Sequence, residues 1–197
     1  MRVSPRNRRL ANDFAAMQKL ADESSILRFK SYGNPPEAYD VFFAGNGLRR
    51  MDLKVGIVAK HEVSVRLGMT YPCVMPELRW KTDIFHPNIS SAGAVCLGGY
   101  QVHWVPSLDL AELCEMLWDM IRYDNFDVTS PYNRDAANWA RLQREFKFPV
   151  DQRSLRDRVT RSVRKQPEII DAEVIEIIDA VMVDEGNAAN DDILFID

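Results

Sequence analysis

The chain is poor in the features that mark several protein classes. Its 197 residues include only three cysteines, Cys73, Cys96 and Cys114. This odd count without motif spacing argues against a disulfide framework and fits a reducing compartment. The three histidines form no Cys-x-x-Cys or His-x-x-x-His pattern with the cysteines. We therefore expect no zinc site and no other metal or cofactor.

Long apolar runs, repeats and low-complexity segments are also missing. No stretch approaches the roughly 18 consecutive apolar residues that a membrane helix needs. The basic N-terminus, residues 1–10, is not followed by the apolar region of a signal peptide. The composition, 46% hydrophobic, is that of an ordinary globular protein. We expect a soluble, cytoplasmic protein with no membrane or nucleic-acid partner.

Basic residues are absent from the last part of the chain. Residues 166–197 contain ten acidic residues and no Lys or Arg. All 25 Lys and Arg therefore precede residue 166, against 19 of the 29 acidic residues, which gives residues 1–165 a formal charge of +6. An acidic tail on a mildly basic body suggests a tail that either docks on a partner or is simply solvated.

The first half of the chain predicts a helix followed by strands. Ser4 and Pro5 have the residue types of a helix N-cap and first helical position, and apolar residues then recur at helical spacing to about residue 23. Strand-like segments follow at residues 26–31, 39–44, 56–67 and 77–81. Turn signals at 33–36 and 45–47 separate the first three. The pattern predicts a four-stranded antiparallel meander.

The second half predicts helices. Asp109 and Glu112 have the spacing of a capping box, and an apolar stripe that includes Cys114 continues to Ile121. We expect Cys114 to be a core residue. A third helix is predicted over residues 133–147. Helices that bracket a meander indicate an α+β fold with its sheet covered on one side.

The character of the sequence changes near Pro149. A basic helical stretch is predicted over 154–165, a helical pattern of acids and β-branched residues over 168–182, and a small apolar plug over 193–196. We divide the chain into a core, residues 1–148, and a C-terminal extension, residues 149–197. The extension is predicted to be dispensable for the chemistry of the core and to tune partner binding.

Cys96 lies in the most irregular part of the chain, between Gly93 and a pair of glycines. Glycine permits backbone conformations and close approaches that other residues forbid, and such a loop can expose a thiol to a large partner. From composition alone, Cys96 is either a reactive thiol or a buried small hydrophobe.

An ordered set of motifs surrounds Cys96. The set comprises Tyr-Pro at 71–72, Phe-His-Pro-Asn-Ile at 85–89, Gly-Ala-Val-Cys-Leu at 93–97, Trp-Val-Pro-Ser-Leu at 104–108 and Ser-Pro at 130–131. In order and spacing it resembles the ubiquitin-conjugating enzyme family over roughly residues 4–147. The cysteine follows the asparagine by eight residues and precedes the tryptophan by eight, as in the family.

The resemblance implies an activity and partners. Family members accept ubiquitin or a ubiquitin-like protein from an activating enzyme as a thioester on the cysteine, and then pass it to a lysine amine of a target, often with a ligase. A thiol suits both steps because it is a good nucleophile and its thioester stays reactive to amines. The resemblance gives this role to Cys96.

Other roles follow from the same resemblance. Asn88 matches the residue that stabilises the tetrahedral oxyanion or holds the active-site loop. His86 and Pro87 are expected to set the turn, and Trp104 supports the site. The position that gates the incoming lysine falls on Ser130, in a segment that is about two residues longer than usual. Asp124 and Asp127 are the other candidates, although solvated acids are the simpler interpretation.

Partner contacts are implied as well. Arg6, Arg8 and Arg9 lie where the family meets its activating enzyme, but a solvated helix face explains them equally well. The positions that usually meet a RING-type ligase are Cys73, Val105 and Pro106.

Several positions depart from the family pattern. Gly98 replaces a common aspartate, Cys73 replaces a large apolar residue, and Val105 replaces a serine. The usual paired glycines are also absent near residues 58–59. These departures question ordinary RING recognition, not thioester formation. They suggest a divergent branch, for which a prokaryotic system with a ubiquitin-like protein other than ubiquitin is one candidate.

Two other functions remain open. A scaffold of the same fold could bind a ubiquitin-like protein without catalysis, although such variants lack the cysteine. A cysteine hydrolase would need a histidine base near Cys96, for which His103 is poorly placed in the sequence.

Overall fold

A computed structural model of the chain describes residues 4–52, 54–97 and 104–159. These residues lie within the first of two units of the chain, residues 1–165. The elements, in chain order, are α1 (Pro5–Glu23), β1 (Leu27–Gly33), β2 (Pro36–Met51), β3 (Lys54–Arg66), β4 (Glu77–Trp80), α2 (Leu110–Ile121) and α3 (Arg134–Leu142). The strands form one antiparallel sheet in the order β1-β2-β3-β4. The predicted α+β fold with a four-stranded meander is confirmed.

The core lies between the sheet and helices α1 and α2. Ser4 caps α1 by accepting a hydrogen bond from the Asn7 N–H (3.1 Å), as the sequence predicts. Asp109 and Glu112 form both halves of the predicted capping box of α2. Cys114 is buried, as predicted, and burial raises the pKa of its thiol. No helix within residues 4–52, 54–97 and 104–159 is long and apolar enough to cross a membrane.

The turn predicted at residues 45–47 is wrong. Strand β2 runs through these residues with a bulge, where its pairing with β3 shifts between Ala44 and Gly47. A Cβ atom at Gly45 would lie 2.3 Å from the Trp118 ring, so glycine is needed here for close packing rather than for a turn. Both strands of the β2–β3 hairpin are consequently long.

The third helix is shorter than predicted. It ends at Leu142, because the Gln143 side chain accepts the Phe146 N–H (2.8 Å) and turns the chain away from the helix axis. Phe146 and Phe148 then pack beside Trp139, with ring centroids 5.8 and 6.4 Å away. Aromatic packing therefore replaces the last turns of the predicted helix.

Residues 150–157 pack against the body of the molecule. Leu155 is buried, and the Trp118 indole N–H donates to the Arg153 carbonyl (2.9 Å). The buried Asp151 accepts the Asn46 N–H at the β2 bulge (3.0 Å). The buried Asp157 accepts the Ser25 N–H (2.7 Å). We call residues 150–157 the strap, because it ties the β2 bulge to the turn after α1.

The predictions for the remaining C-terminal residues lie outside the described ranges. Helical residues begin at 157, and the rest of the basic helix predicted over 154–165 falls on residues that the structure does not describe. The same holds for the segments predicted at 168–182 and 193–196. The division of the chain at residue 148 stays a prediction, although the contacts of the strap argue that any dispensable segment begins after it.

We predict that a chain ending at residue 148 is less stable than one ending at residue 159. The shorter chain exposes the Leu155 site and removes the hydrogen-bond acceptor of the buried Trp118 N–H. Together these losses cost about 3 kcal/mol or more. Urea unfolding of both truncated chains measures the difference, with the full chain as the reference. Equal stability of the two truncated chains would contradict the packing role of the strap.

Candidate active site

The segment that carries Cys96 folds back on the His-Pro-Asn motif. The Cys96 N–H donates to the Asn88 carbonyl (2.9 Å), and isolated bridges join Ile89 to Val95 and Arg79 to Ala94. Gly93 has φ +82°, and a Cβ there would lie 2.2 Å from the Trp80 carbonyl oxygen. Only glycine fits this close approach. The segment therefore holds the backbone of Cys96 directly beside Asn88.

The environment of Cys96 differs from that of the other two cysteines. Cys96 is partly exposed, Cys73 is exposed and Cys114 is buried. Cys96 lies outside any helix or strand. Gly98, which stands where the family commonly has an aspartate, and His103, the candidate hydrolase base, lie outside the described ranges.

Asn88 connects this segment to the loop that follows α2. Its side-chain amide donates to the Asp127 carbonyl (2.9 Å), and its side-chain oxygen accepts the Asp127 N–H (2.7 Å). The residue is 1% exposed. Asn88 thus makes a two-point connection between the His-Pro-Asn turn and residues 123–131. One amide hydrogen of its side chain is not needed for this connection.

His86 is bonded within the turn that leads to Asn88. Its Nδ1 accepts the Asn88 N–H (3.1 Å), and its ring packs edge-on against Tyr123 with centroids 4.9 Å apart. The ring is buried, and desolvation lowers the pKa of His86 to about 3. The imidazole is therefore neutral near pH 7 and its Nδ1 is occupied. Pro87 is also buried, and its carbonyl accepts the Asn133 N–H (2.9 Å).

The three candidates for a lysine gate have different surroundings. The Asp127 carboxylate accepts both the N–H and the hydroxyl of Thr129 (2.6 Å each), and these bonds lower the pKa of Asp127. Ser130 is exposed next to this turn. Asp124 instead pairs with Arg122. The structure thus bonds Asp127 to Asn88, with Ser130 three residues further along the same loop, whereas Asp124 is held by Arg122 at the end of α2.

An aromatic cluster supports this loop. Tyr123 has φ 60° and stacks on Phe148, with centroids 4.7 Å apart, and Phe126 lies 5.3 Å away. The Tyr123 hydroxyl donates to the carbonyl of Phe85, the residue before His86. Sequence reasoning missed this cluster, although the close spacing of aromatic residues between 123 and 148 was a signal. The aromatic cluster thus holds the start of the loop, at Tyr123 and Phe126, while Asn88 holds it at Asp127.

The two loops expected to meet partners lie side by side. The Trp104 indole N–H donates to the Pro72 carbonyl (2.7 Å), and its ring lies 5.9 Å from that of Tyr71. Cys73, Val105 and Pro106 are all exposed on these loops. The predicted ligase-contact positions therefore belong to one surface.

A buried carboxylate that sequence reasoning missed holds these loops to α1. Asp13 is fully buried and accepts hydrogen bonds from the Tyr71 hydroxyl (2.7 Å), Arg9 (2.8 Å) and the Leu110 N–H (3.3 Å). Burial raises the pKa of Asp13, although the bonds from Tyr71 and Arg9 favour its charged form. A charged residue on the apolar face of α1 was the available signal.

The three arginines at the start of α1 are not equivalent. Arg9 also donates to the Pro106 and Leu108 carbonyls. Arg6 pairs with Glu37 (2.7 Å) and donates to the Leu67 carbonyl (3.3 Å). Arg8 is exposed. Two of the three predicted contact residues therefore have internal partners, and Arg8 is the most accessible.

The fold and site define a class of α+β domain. In this class a partly exposed cysteine lies on an irregular segment that follows a four-stranded meander in the chain. Residues 58–154 match the family model described as ubiquitin-conjugating enzyme. The match and the ordered motifs support membership of the chain in the ubiquitin-conjugating enzyme family.

Curated relatives agree with this assignment. The chain is 38% identical over 72 residues to ubiquitin-conjugating enzyme E2 16 of Schizosaccharomyces pombe, covering 36% of this chain and 44% of the relative. It is 31% identical over 68 residues to ubiquitin-conjugating enzyme E2 2 of Candida albicans, covering 34% and 37%. The chain thus spans less than half the length of these relatives.

A solved structure supports the fold. Ubc12 of S. cerevisiae superimposes with a TM-score of 0.56 at 21% identity, covering 74% of this chain and 76% of that one. The helix, the four-stranded meander and the following helices therefore form the core fold of this family.

We predict that Asn88→Ala loosens the loop at residues 123–131. The substitution leaves the Asp127 N–H and carbonyl without their partners, which costs roughly 1–2 kcal/mol for two partly buried polar groups. Urea unfolding measures the stability, and amide hydrogen exchange of residues 123–131 measures the loop. Asn138→Ala, at an exposed position of α3, is the matched control. Unchanged exchange in the loop would contradict the connection.

We predict that the protein loses stability as the pH falls below about 6.5. Burial lowers the pKa of His61 to about 4 and that of His86 to about 3. The unfolded chain, with ordinary histidine pKa values near 6.5, therefore binds more protons between pH 6.5 and 4. Each histidine then contributes a loss of about 2 kcal/mol at pH 5.

Urea unfolding at pH 7.5 and pH 5 measures this loss. His86→Gln removes one of the two groups, so its difference between the two pH values should be smaller than that of the unmodified chain. Only the difference is compared, because the substitution itself changes stability. An identical pH dependence in both proteins would contradict the burial of a neutral His86.

Proposed function

We propose that the chain is an acyl-transferring ubiquitin-conjugating enzyme that uses Cys96 as its nucleophile. It accepts ubiquitin or a ubiquitin-like protein from an activating enzyme and passes it to a lysine of a target protein. The observation that carries the proposal is the position of Cys96, which is partly exposed on an irregular segment and bonded through its N–H to Asn88. Cys114 is buried in the core.

The proposed chemistry has two steps. The Cys96 thiolate attacks the carbonyl carbon of the incoming thioester, a new C–S bond forms, and the bond to the activating enzyme's sulfur breaks. The thiolate that leaves takes up a proton. A neutral lysine amine then attacks the same carbonyl carbon, a C–N bond forms, the C–S bond to Cys96 breaks, and the thiol of Cys96 is restored.

Asn88 supports both steps in this proposal. Its carbonyl holds Cys96, and its side chain holds the backbone of Asp127. The amide hydrogen that this connection does not use is available to the oxyanion of the tetrahedral intermediate. The two roles that the resemblance suggested for Asn88 are therefore compatible.

The lysine must lose a proton, since its ordinary pKa is near 10.4. In our proposal the lysine approaches past Asp127, which is bonded to Asn88, and past the exposed Ser130. The Asp127 carboxylate, with its lowered pKa, is ionised at neutral pH and favours an ammonium group nearby. We therefore assign Asp127 to orienting the lysine rather than to removing its proton.

Partner surfaces complete the proposal. Arg8 is the arginine of α1 most accessible to the activating enzyme. Arg6 and Arg9 instead bond to other elements and hold the surrounding loops in place. Cys73, Val105 and Pro106 form the surface offered to a ligase. We place the protein in the cytoplasm, where its thiols stay reduced.

A charging assay tests the proposal. The full chain is incubated with ATP, an activating enzyme and candidate ubiquitin-like proteins, and the products are run on gels with and without reductant. The unmodified chain should give an adduct that reductant removes. Cys96→Ser should give an ester that resists reductant, and Cys73→Ser, the matched control, should behave like the unmodified chain.

Two outcomes would overturn the nucleophile assignment. One is a reductant-sensitive adduct that persists in Cys96→Ser. The other is binding of a ubiquitin-like protein without any covalent adduct, which would favour the scaffold. A cysteine hydrolase would need a histidine base: His86 is a weak one, because burial lowers its pKa to about 3, and His103 lies outside the described residues.

A further inference from the structure

A groove of about 540 Å³ opens beside the segment that leads to Cys96. Residues 79–84 and residues 89–93 line it, together with Arg50 from β2 and Asn133, the N-cap of α3. The Trp80 N–H donates to the Gly93 carbonyl (2.8 Å) and joins the two segments. We call this the cationic groove. Neither Cys96, Asn88 nor Asp127 lines it.

Positive charge dominates the cationic groove. Its lining contains Arg50, Arg79 and Lys81 against one carboxylate, Asp83. Arg50 shares its charge with Asp135 (3.1 Å). Arg79 and Lys81 are exposed and have no ion pair with any of the residues that the structure describes. The unbalanced charge favours an anionic ligand.

Hydrogen-bond donors in the lining point to the same kind of ligand. The hydroxyl oxygens of Ser90 and Thr82 accept backbone N–H groups, which leaves their hydrogens to donate. A carboxylate, which only accepts, fits such a lining.

The groove lies close to the proposed nucleophile. Gly93 lines it and precedes Cys96 by three residues. A fully extended chain advances about 3.6 Å per residue, so the two Cα atoms are at most about 11 Å apart. When a lysine of a polypeptide reaches Cys96, a residue no more than about three positions away from that lysine can therefore place its side chain in the groove.

We propose that the cationic groove binds an acidic side chain of the target polypeptide, close in sequence to the lysine that is modified. The inference rests on the proposed role of Cys96 and adds a determinant of target specificity. The groove takes no part in the bonds that form and break. It selects which lysine is presented to the thioester.

Peptide binding tests the proposal directly. The probes are two fluorescein-labelled peptides with one lysine each, one with glutamates at the second and third positions after the lysine and one with glutamines there. Fluorescence anisotropy with the full chain at low salt should show at least tenfold tighter binding of the glutamate peptide. Arg79→Glu/Lys81→Glu should abolish this preference, because it reverses the two unpaired charges.

A matched variant separates the groove from general charge attraction. Arg144→Glu/Lys147→Glu makes the same change in net charge at exposed positions outside the groove. It should keep most of the preference for the glutamate peptide. Equal losses in the two double variants, or no preference in the unmodified chain, would overturn the proposal.

A transfer assay keeps the two proposals distinguishable. The charged protein is mixed with each peptide or with free lysine, and loss of the thioester is followed over time. Arg79→Glu/Lys81→Glu should charge on Cys96 and discharge to free lysine normally, yet lose its preference for the glutamate peptide. Failure of charging in the unmodified chain would count against the proposed function alone. Normal charging with equal discharge to both peptides would count against the groove alone.

Discussion

The site depends on the hydrogen bonds of Asn88. Its carbonyl accepts the Cys96 N–H, its own N–H donates to His86, and its side chain grips the Asp127 backbone at both ends. One residue therefore fixes the position of the cysteine segment, the turn before it and the loop after α2. Because Asn88 is buried, each of these bonds is protected from competition with water.

A second buried polar residue organises the side of the molecule that carries the Tyr71 and Trp104 loops. Asp13 on α1 joins the Tyr71 loop to the start of α2, and Arg9 extends the connection to the carbonyls before α2. An uncompensated carboxylate in this position would be costly, which explains why it has three donors. The exposed surface around Cys73 and Val105 is thus supported by a polar network rather than by apolar packing alone.

The sequence was sufficient to predict the order of elements and the residues near the cysteine. The caps at Ser4 and Asp109 and the alternation in β3 are local signals, and the structure agrees with them. The turn predicted at Gly45 was wrong because the glycine is required by a tertiary contact with Trp118, and no local sequence pattern reveals that contact. The short α3 has a similar cause, since Phe146 turns back onto Trp139 of the same helix, and Trp139 packs against Phe85 from a remote part of the chain.

Tertiary contacts also decide which of the candidate site residues lie close together. Asp124 and Asp127 look alike in the sequence, yet one pairs with Arg122 and the other is bonded to Asn88. Likewise, neighbouring arginines of α1 differ because only some of them find acceptors on other elements. Local sequence identifies residue types, whereas long-range contacts decide their surroundings.

The burial of His86 gives the site a constant electrostatic background. Its ring stays uncharged, and the Asp127 carboxylate stays charged, across the whole neutral range. Neither group can therefore act as a switch when the acidity of the surroundings changes by one or two units. For a reaction at this loop, the response of the rate to acidity near neutrality would report on the incoming nucleophile and the thiol, not on the residues that hold them.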